Sequence, residues 1–349
     1  MVRTPASEGE CAAFRVAPLT ERRNFIMLLP RLPEASSYIR KVQMLRLPRL
    51  SYCILLVFAL ALSASAEITW TVIDYPGAEW TMLNGIHNKG DVVGVYHSGT
   101  GHDHGFLLSG GVFTTIDFPG AFSTNAEGIN DDGDIVGTYA MYFSPMEPTG
   151  FVLHAGTWTT IQAPGRGYTW VHGINNAGDI VGESQLNTGT IGFVRKKGAS
   201  YSRIVVPGAA STWVKGINNT GDIVGYFVNR GQNPPHRGYL LRNGVWQLLD
   251  LPDSYETEID TVNDYHQIAG QASSPLGWYQ GFVRYNDQFL IVTYPRLAQF
   301  LWVTGVNNQS NMVGYYYHHQ GSSGPFHGII RTRQLRKILN RWQIDTKEF

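Results

Sequence analysis

A short motif recurs six times along the chain at nearly constant spacing, and this periodicity limits the fold more than any other property of the sequence. The copies are Gly85-Ile86-His87-Asn88-Lys89-Gly90-Asp91, then GINDDGD from Gly128, GINNAGD from Gly173, GINNTGD from Gly216, TVNDYHQ from Thr261 and GVNNQSN from Gly305. Their first positions are 43, 45, 43, 45 and 44 residues apart. Units of this length cannot bury a core alone, so consecutive copies must pack against one another.

Each copy carries four strand signals. The motif is followed by an apolar pair and a glycine, as in Ile180-Val181-Gly182, and then by a loop. A glycine leading an apolar or aromatic residue opens the next strand: Gly105-Phe106, Gly150-Phe151, Gly192-Phe193, Gly238-Tyr239, Gly281-Phe282 and Gly328-Ile329. Gly110-Gly111 and Asn243-Gly244 are hairpin turns that lead into a last strand such as Phe113-Thr114-Thr115-Ile116-Asp117. In Asn175-Asn176-Ala177-Gly178 the asparagine and glycine stand where a type I turn wants them. The expected fold is all-β, a six-bladed β-propeller of four-stranded antiparallel blades spanning residues 67–330. The segment Trp70-Thr71-Val72-Ile73-Asp74 matches a last strand with no first three before it, so it is expected to complete the sixth blade.

These residues resemble the bacterial extracellular repeat family named HAF for its His-Ala-Phe motif. Here the motif reads His104-Gly105-Phe106, with Thr149, Ile191, Arg237 and Gln280 replacing the histidine in the middle copies. The resemblance implies export and a repeat fold. It implies no activity.

The flanks read differently. Ile54 to Leu62 is an apolar run of nine residues, too short for a membrane helix of about twenty. Arg46 and Arg49 precede it, and Ala64-Ser65-Ala66 follows as a small-x-small cleavage site, so residues 44–66 read as a secretory signal peptide. Met44 is the expected start and residues 1–43 an upstream extension, the alternative being a long n-region from Met1. Cys11 and Cys53 both precede the cleavage point, leaving a mature chain without cysteine, secreted to the periplasm or the exterior, with no membrane span. The tail 331–349 is basic. Leu335, Ile338, Leu339 and Trp342 fall at helical spacing, while Gln334 to Leu339 reads alternatively as a degenerate strand.

Composition enters when function is asked. Charged residues make up 15% of the chain and its formal net charge is zero, with the first 66 residues basic and the remainder mildly acidic. That balance argues against a nucleic-acid partner, which calls for a basic face. Candidate site residues come from alternation on the strand before each motif. Leu83, Ala126, Val171, Val214, Ile259 and Val303 are all apolar and are expected to pack between blades. The flanking positions then face a central channel: Met82, Asn125, Trp170, Trp213, Glu258 and Trp302 on one side, Asn84, Glu127, His172, Lys215, Asp260 and Thr304 on the other. Trp170, Trp213, Trp302, Asn125, Glu127, His172, Lys215, Glu258 and Asp260 form the expected ligand site, since tryptophan offers flat apolar area and amides and carboxylates offer hydrogen bonds. The long loops of the same end, such as Tyr142-Phe143-Ser144-Pro145-Met146-Glu147 and His318-His319-Gln320-Gly321, differ in every copy and would shape its rim.

Three functions fit this pattern. The first is a module that binds a glycan or an extracellular protein through the variable-loop face and channel mouth. The second is a glycoside hydrolase or lyase using Glu127, His172, Glu258 and Asp260, chemistry that needs two carboxyls at a defined separation. The third is a structural surface protein. No cofactor is expected. His102-Asp103-His104 reads as strand start rather than metal ligands, and Asp131-Asp132-Gly133-Asp134, although calcium-like, occupies the turn that other copies fill without it.

Overall fold

The computed structural model describes residues 69–99, 101–142, 147–165, 167–231, 235–274, 277–292, 300–317 and 325–332, within the unit Ala66–Phe349. The upstream extension, the signal segment, both cysteines, the loop residues 143–146 and 318–321 and the tail beyond Thr332 lie outside the described residues. Among the described residues every element is a strand, and no helix is long and apolar enough to cross a membrane.

Strand β1 (Thr69–Val72) precedes the repeats. The first comprises β2 (Trp80–Ile86), β3 (Val92–His97), β4 (Asp103–Ser109) and β5 (Val112–Ile116), and the second β6 (Ser123–Ile129), β7 (Ile135–Ala140), β8 (Thr149–His154) and β9 (Thr157–Ile161). The third holds β10 (Tyr168–Ile174), β11 (Ile180–Leu186), β12 (Gly189–Arg195) and β13 (Tyr201–Ile204), the fourth β14 (Ser211–Ile217), β15 (Ile223–Val228), β16 (Arg237–Arg242) and β17 (Val245–Leu248). The fifth holds β18 (Glu256–Val262), β19 (Ile268–Ser273), β20 (Tyr279–Tyr285) and β21 (Gln288–Val292), and the sixth β22 (Phe300–Val306), β23 (Met312–Tyr317) and β24 (His327–Thr332).

The fold is a β-propeller of four-stranded antiparallel blades. Repeats one to four are separate sheets, each an antiparallel meander. The expectation of six separate blades needs a correction, because the last two repeats share one eight-stranded sheet. They join through a single parallel bridge between Tyr279 on β20 and Phe300 on β22. As expected, β1 supplies a strand to the sixth repeat, pairing antiparallel with β24 from Thr69↔Thr332 to Val72↔Ile329. The pattern therefore runs two residues past the expected end at Ile330.

Packing is radial. Six apolar clusters each join one repeat to the next, the last uniting Val313 and Ile330 with Leu83 and Phe106 across the chain termini of the propeller. The apolar residue between the two channel-facing positions is at the centre of each: Leu83, Ala126, Val171, Val214 and Ile259 are fully buried and Val303 is nearly so.

The turns of the motif form a hydrogen-bonded cycle. Asn88 N donates to Asp131 Oδ1, Asp131 N to Asn176, Asn176 N to Asn219, Asn219 N to Asp264, Asp264 N to Asn308 and Asn308 N back to Asn88, all at 2.7–2.9 Å. Inside it lie the buried Asn130, Asn175, Asn218, Asn263 and Asn307. Each folds its own turn by accepting from the backbone N–H four residues on, and donates its amide to the backbone of the next repeat. His87 takes that place in the first repeat, where Asn84 Nδ2 bonds to Ala126 O instead.

The glycine that opens the motif lets adjacent inner strands touch. A Cβ on Gly128 would lie 2.6 Å from His172 O and 3.4 Å from Gly173 Cα, and one on Gly85 would lie 2.9 Å from Glu127 O. Because the obstruction is backbone, it cannot turn aside. Gly128→Ala is therefore expected to cost about 1–3 kcal/mol in urea unfolding, while Gly99→Ala, which meets only the end of Glu79, stays within about 0.5 kcal/mol of the parent. Equal midpoints for the two variants would refute the close approach.

Candidate functional site

Each inner strand carries a bulge immediately before the motif. The register shifts between Leu83 and Gly85, Ala126 and Gly128, Val171 and Gly173, Val214 and Gly216, Ile259 and Thr261, and Val303 and Gly305. The extra residue in each bulge is Asn84, Glu127, His172, Lys215, Asp260 or Thr304. A bulge re-aims the side chain it frees from the ladder, and all six of these residues line one cavity of about 320 Å³. Glu258, Gln271, Tyr226, Trp302 and Tyr315 complete its wall.

Of the expected site residues, Glu127, His172, Lys215, Glu258, Asp260 and Trp302 line this cavity. Asn125, Trp170 and Trp213 do not. Trp170 packs edge-on against Tyr168, and Trp213 stacks on Tyr226 at 5.0 Å between ring centres, which places Tyr226 rather than itself at the wall. The sequence reading missed the second strand. Glu183, Tyr226, Gln271 and Tyr315 stand directly opposite Trp170, Trp213, Glu258 and Trp302 in the ladders. The signal was present, since the residue after the glycine of the apolar-apolar-glycine triplet is valine, threonine, glutamate, tyrosine, glutamine and tyrosine in turn.

The wall combines charge with aromatic rings. Repeats two to five supply the charge. His172 Nε2 lies 2.8 Å from Glu183 Oε1 and 3.2 Å from Lys215 Nζ, which is itself 3.7 Å from Glu183. Glu127 approaches His172 Nδ1 to only 3.9 Å. Glu258 is held by His236 Nδ1 and by Gln271 Nε2, the latter at 2.6 Å. Tyr226 of repeat four and Trp302 and Tyr315 of repeat six are the aromatic residues of the wall, and further rings from repeats five, six and one pack around Trp302. Trp302 stacks with Tyr279, Phe300, Tyr315 and Tyr317, and Phe326 meets Trp302, Tyr315, Tyr317 and Trp80 edge-on. Trp278 is 40% exposed beside Phe300.

Burial and charge together set the protonation states. Burial works against ionising His172, but the Glu183 carboxylate outweighs it and the imidazole pKa is raised. Glu183 is buried too, yet His172 and Lys215 hold its pKa below the ordinary carboxylate range. Asp260 is the exception. Burial, reinforced by the neighbouring Glu258 charge, pushes it up to about 7. Tyr315 rises for the same reason, burial first and then Asp260.

The motifs considered for metals have other partners. Asp131 accepts from Asn88 and Asn176 in the turn cycle, and Asp134 bonds to His154 and Asn130. His102 and His104 bond separately to Phe122 O and Asp117. Among the described residues no group of three or more His, Cys, Asp or Glu could hold a metal ion.

No family model matches the chain, and no curated protein matches it. Solved structures do. A catalytically inactive virginiamycin B lyase from Staphylococcus aureus, with quinupristin, aligns at 11% identity over 76% of this chain and 99% of that one, TM-score 0.46. Aleuria aurantia lectin in complex with Fucalpha1-6GlcNAc aligns at 9% identity over 72% and 96%, TM-score 0.46. A gluconolactonase from Xanthomonas campestris aligns at 13% identity over 77% and 92%, TM-score 0.46.

The raised pKa of Asp260 has a consequence for stability. The folded chain binds this proton more tightly than the unfolded chain, so the contribution is full below the ordinary value of 3.8 and is lost as pH rises to about 7. Asp260→Asn removes the penalty. Urea titrations should show the variant equal to its parent at pH 4 and more stable at pH 8, by roughly 4 kcal/mol. A constant difference across that range would show that Asp260 titrates as an exposed carboxylate.

Proposed function

We propose that this propeller is an exported ligand-binding module and that its ligand is a glycan held at the channel mouth. One observation carries the reading: the rings of Trp302, Tyr315 and Tyr226 share a single cavity with a belt of hydrogen-bonded charge, and further rings from repeats five and six pack on Trp302. Sugars have an apolar face of C–H groups and a rim of hydroxyls, and the rings and polar groups of the wall answer that division. In this reading the eight-stranded sheet acts as a fifth and a sixth blade joined at one bridge, and the six-membered turn cycle supports it. Membership of the HAF repeat family, cleavage after Ala66 and a place outside the cytoplasm belong to the same proposal, supported by the motif and the apolar run at the N-terminus.

A carbohydrate-active enzyme is the second reading. In its favour, Glu258 and Asp260 lie two residues apart on β18 and both line the cavity, one hydrogen-bonded and the other protonated near neutrality. Against it, Glu127 and Asp260 are three repeats apart in the turn cycle and so face each other from opposite walls.

The binding reading is tested on a glycan array with the mature chain, followed by titration of the best ligand. Trp302→Ala should weaken binding by about tenfold or more, and Tyr265→Ala, on an exposed turn away from the cavity, should leave it intact. Undiminished binding by Trp302→Ala would remove the proposed site.

A further inference from the structure

The unsatisfied polar atoms at this cavity are of one chemical kind. Gln271 is 5% exposed and lines the wall. Its amide nitrogen is taken up by Glu258, but Oε1 has no partner among the described residues. Asp260 Oδ2 on the same wall has none, nor has Glu183 Oε2 behind His172. Gln271 Oε1 and Glu183 Oε2 are acceptors, and Asp260 Oδ2 becomes one when its carboxyl is ionised. Only a donor can answer them.

The charges point the same way. Glu183 faces both Lys215 and His172, and Glu258 faces His236, so these bases are already matched. Asp260 forms no ion pair among the described residues, and Glu127 has only the long contact to His172. Four carboxyls, Glu127, Glu183, Glu258 and Asp260, thus meet three bases, His172, Lys215 and His236, and once Asp260 is ionised the cavity carries one negative charge in surplus. Beside it, Trp302 and Tyr315 offer ring faces, whose negative quadrupoles attract cations.

We propose that the channel mouth selects a saccharide bearing a free primary ammonium, with the sugar ring against Trp302 and the ammonium directed to Asp260 and the Gln271 amide oxygen. This rests on the reading of the mouth as a glycan site. An ammonium brings three donors to these acceptors, and its charge favours the ionised form of Asp260, which burial and Glu258 otherwise hold protonated up to about pH 7. N-acetylation would leave one donor and no charge. A neutral sugar would answer the acceptors but not the acid.

The experiment is calorimetric titration of the mature chain at pH 6 with three probes: a glucosamine tetrasaccharide, its fully N-acetylated form, and a lysine tetrapeptide. The amine-bearing sugar is expected to bind about tenfold more tightly than either other probe. Asp260→Asn and Glu127→Gln, near-isosteric changes whose folding is checked by thermal melting, should each reduce the ratio of the two sugars' affinities several-fold. Equal binding of the two sugars, or a preference that persists in both variants, overturns the ammonium assignment and leaves the glycan reading standing. A lysine peptide that binds as tightly as the amino sugar overturns the saccharide. Binding of none of the three, together with a blank glycan array, removes the glycan reading and this inference with it.

Discussion

The hydrogen-bonded cycle of turns is the constraint from which the rest of the structure follows. Every repeat presents a backbone N–H to the next and accepts one from the one before, and the buried asparagines add a second, inner set of links. Such a cycle sets how far apart the inner strands stand. At that distance the opening glycines meet the neighbouring backbone, and the apolar residues between channel-facing positions fill the wedges behind. The bulge then has one direction left for its freed side chain, which is inward.

Scaffold and site thus use different residues of the same short segment. Glycine and asparagine in the motif carry the geometry, and they are nearly uniform. The residue before the glycine carries the chemistry, and it is asparagine, glutamate, histidine, lysine, aspartate and threonine in turn. Where that side chain bonds to backbone, as Asn84 does to Ala126 O and Thr304 to Leu83 O, it joins a frame the motif turns already set, so its identity can change from copy to copy without altering that frame. The resulting cavity is asymmetric although the frame around it is nearly symmetric.

This division also explains what could be read from the chain. Strand alternation was enough to place Glu127, His172, Lys215 and Asp260 on the channel and Val171 and Val214 in the core, because one bulge in a short strand leaves the period of two intact on either side. Trp170 and Trp213 failed because alternation tells which face a residue is on, not how far toward the axis a large ring extends. Trp213 lies against Tyr226, a partner from the adjoining strand, and cross-strand partners depend on register, which one strand does not reveal. Glu183 was missed for that reason, though it organises His172 and Lys215. The shared sheet of the last two repeats depends on a single bridge between Tyr279 and Phe300, a detail of spacing that no motif marks.

The turn cycle has a sense of rotation: around the outer ring each backbone donor points to the repeat that follows. Bond dipoles arranged head to tail on a closed loop sum to nearly nothing along the axis, whatever their individual strength. A helix pointed at a pore would impose a field on whatever approached; the amide dipoles of this rim impose almost none, and its charge comes from the Asp131 and Asp264 carboxyls. The electrical character of the pore is therefore left to a handful of ionisable side chains, so that changing one carboxyl at a bulge changes the charge the opening presents without disturbing the frame that surrounds it.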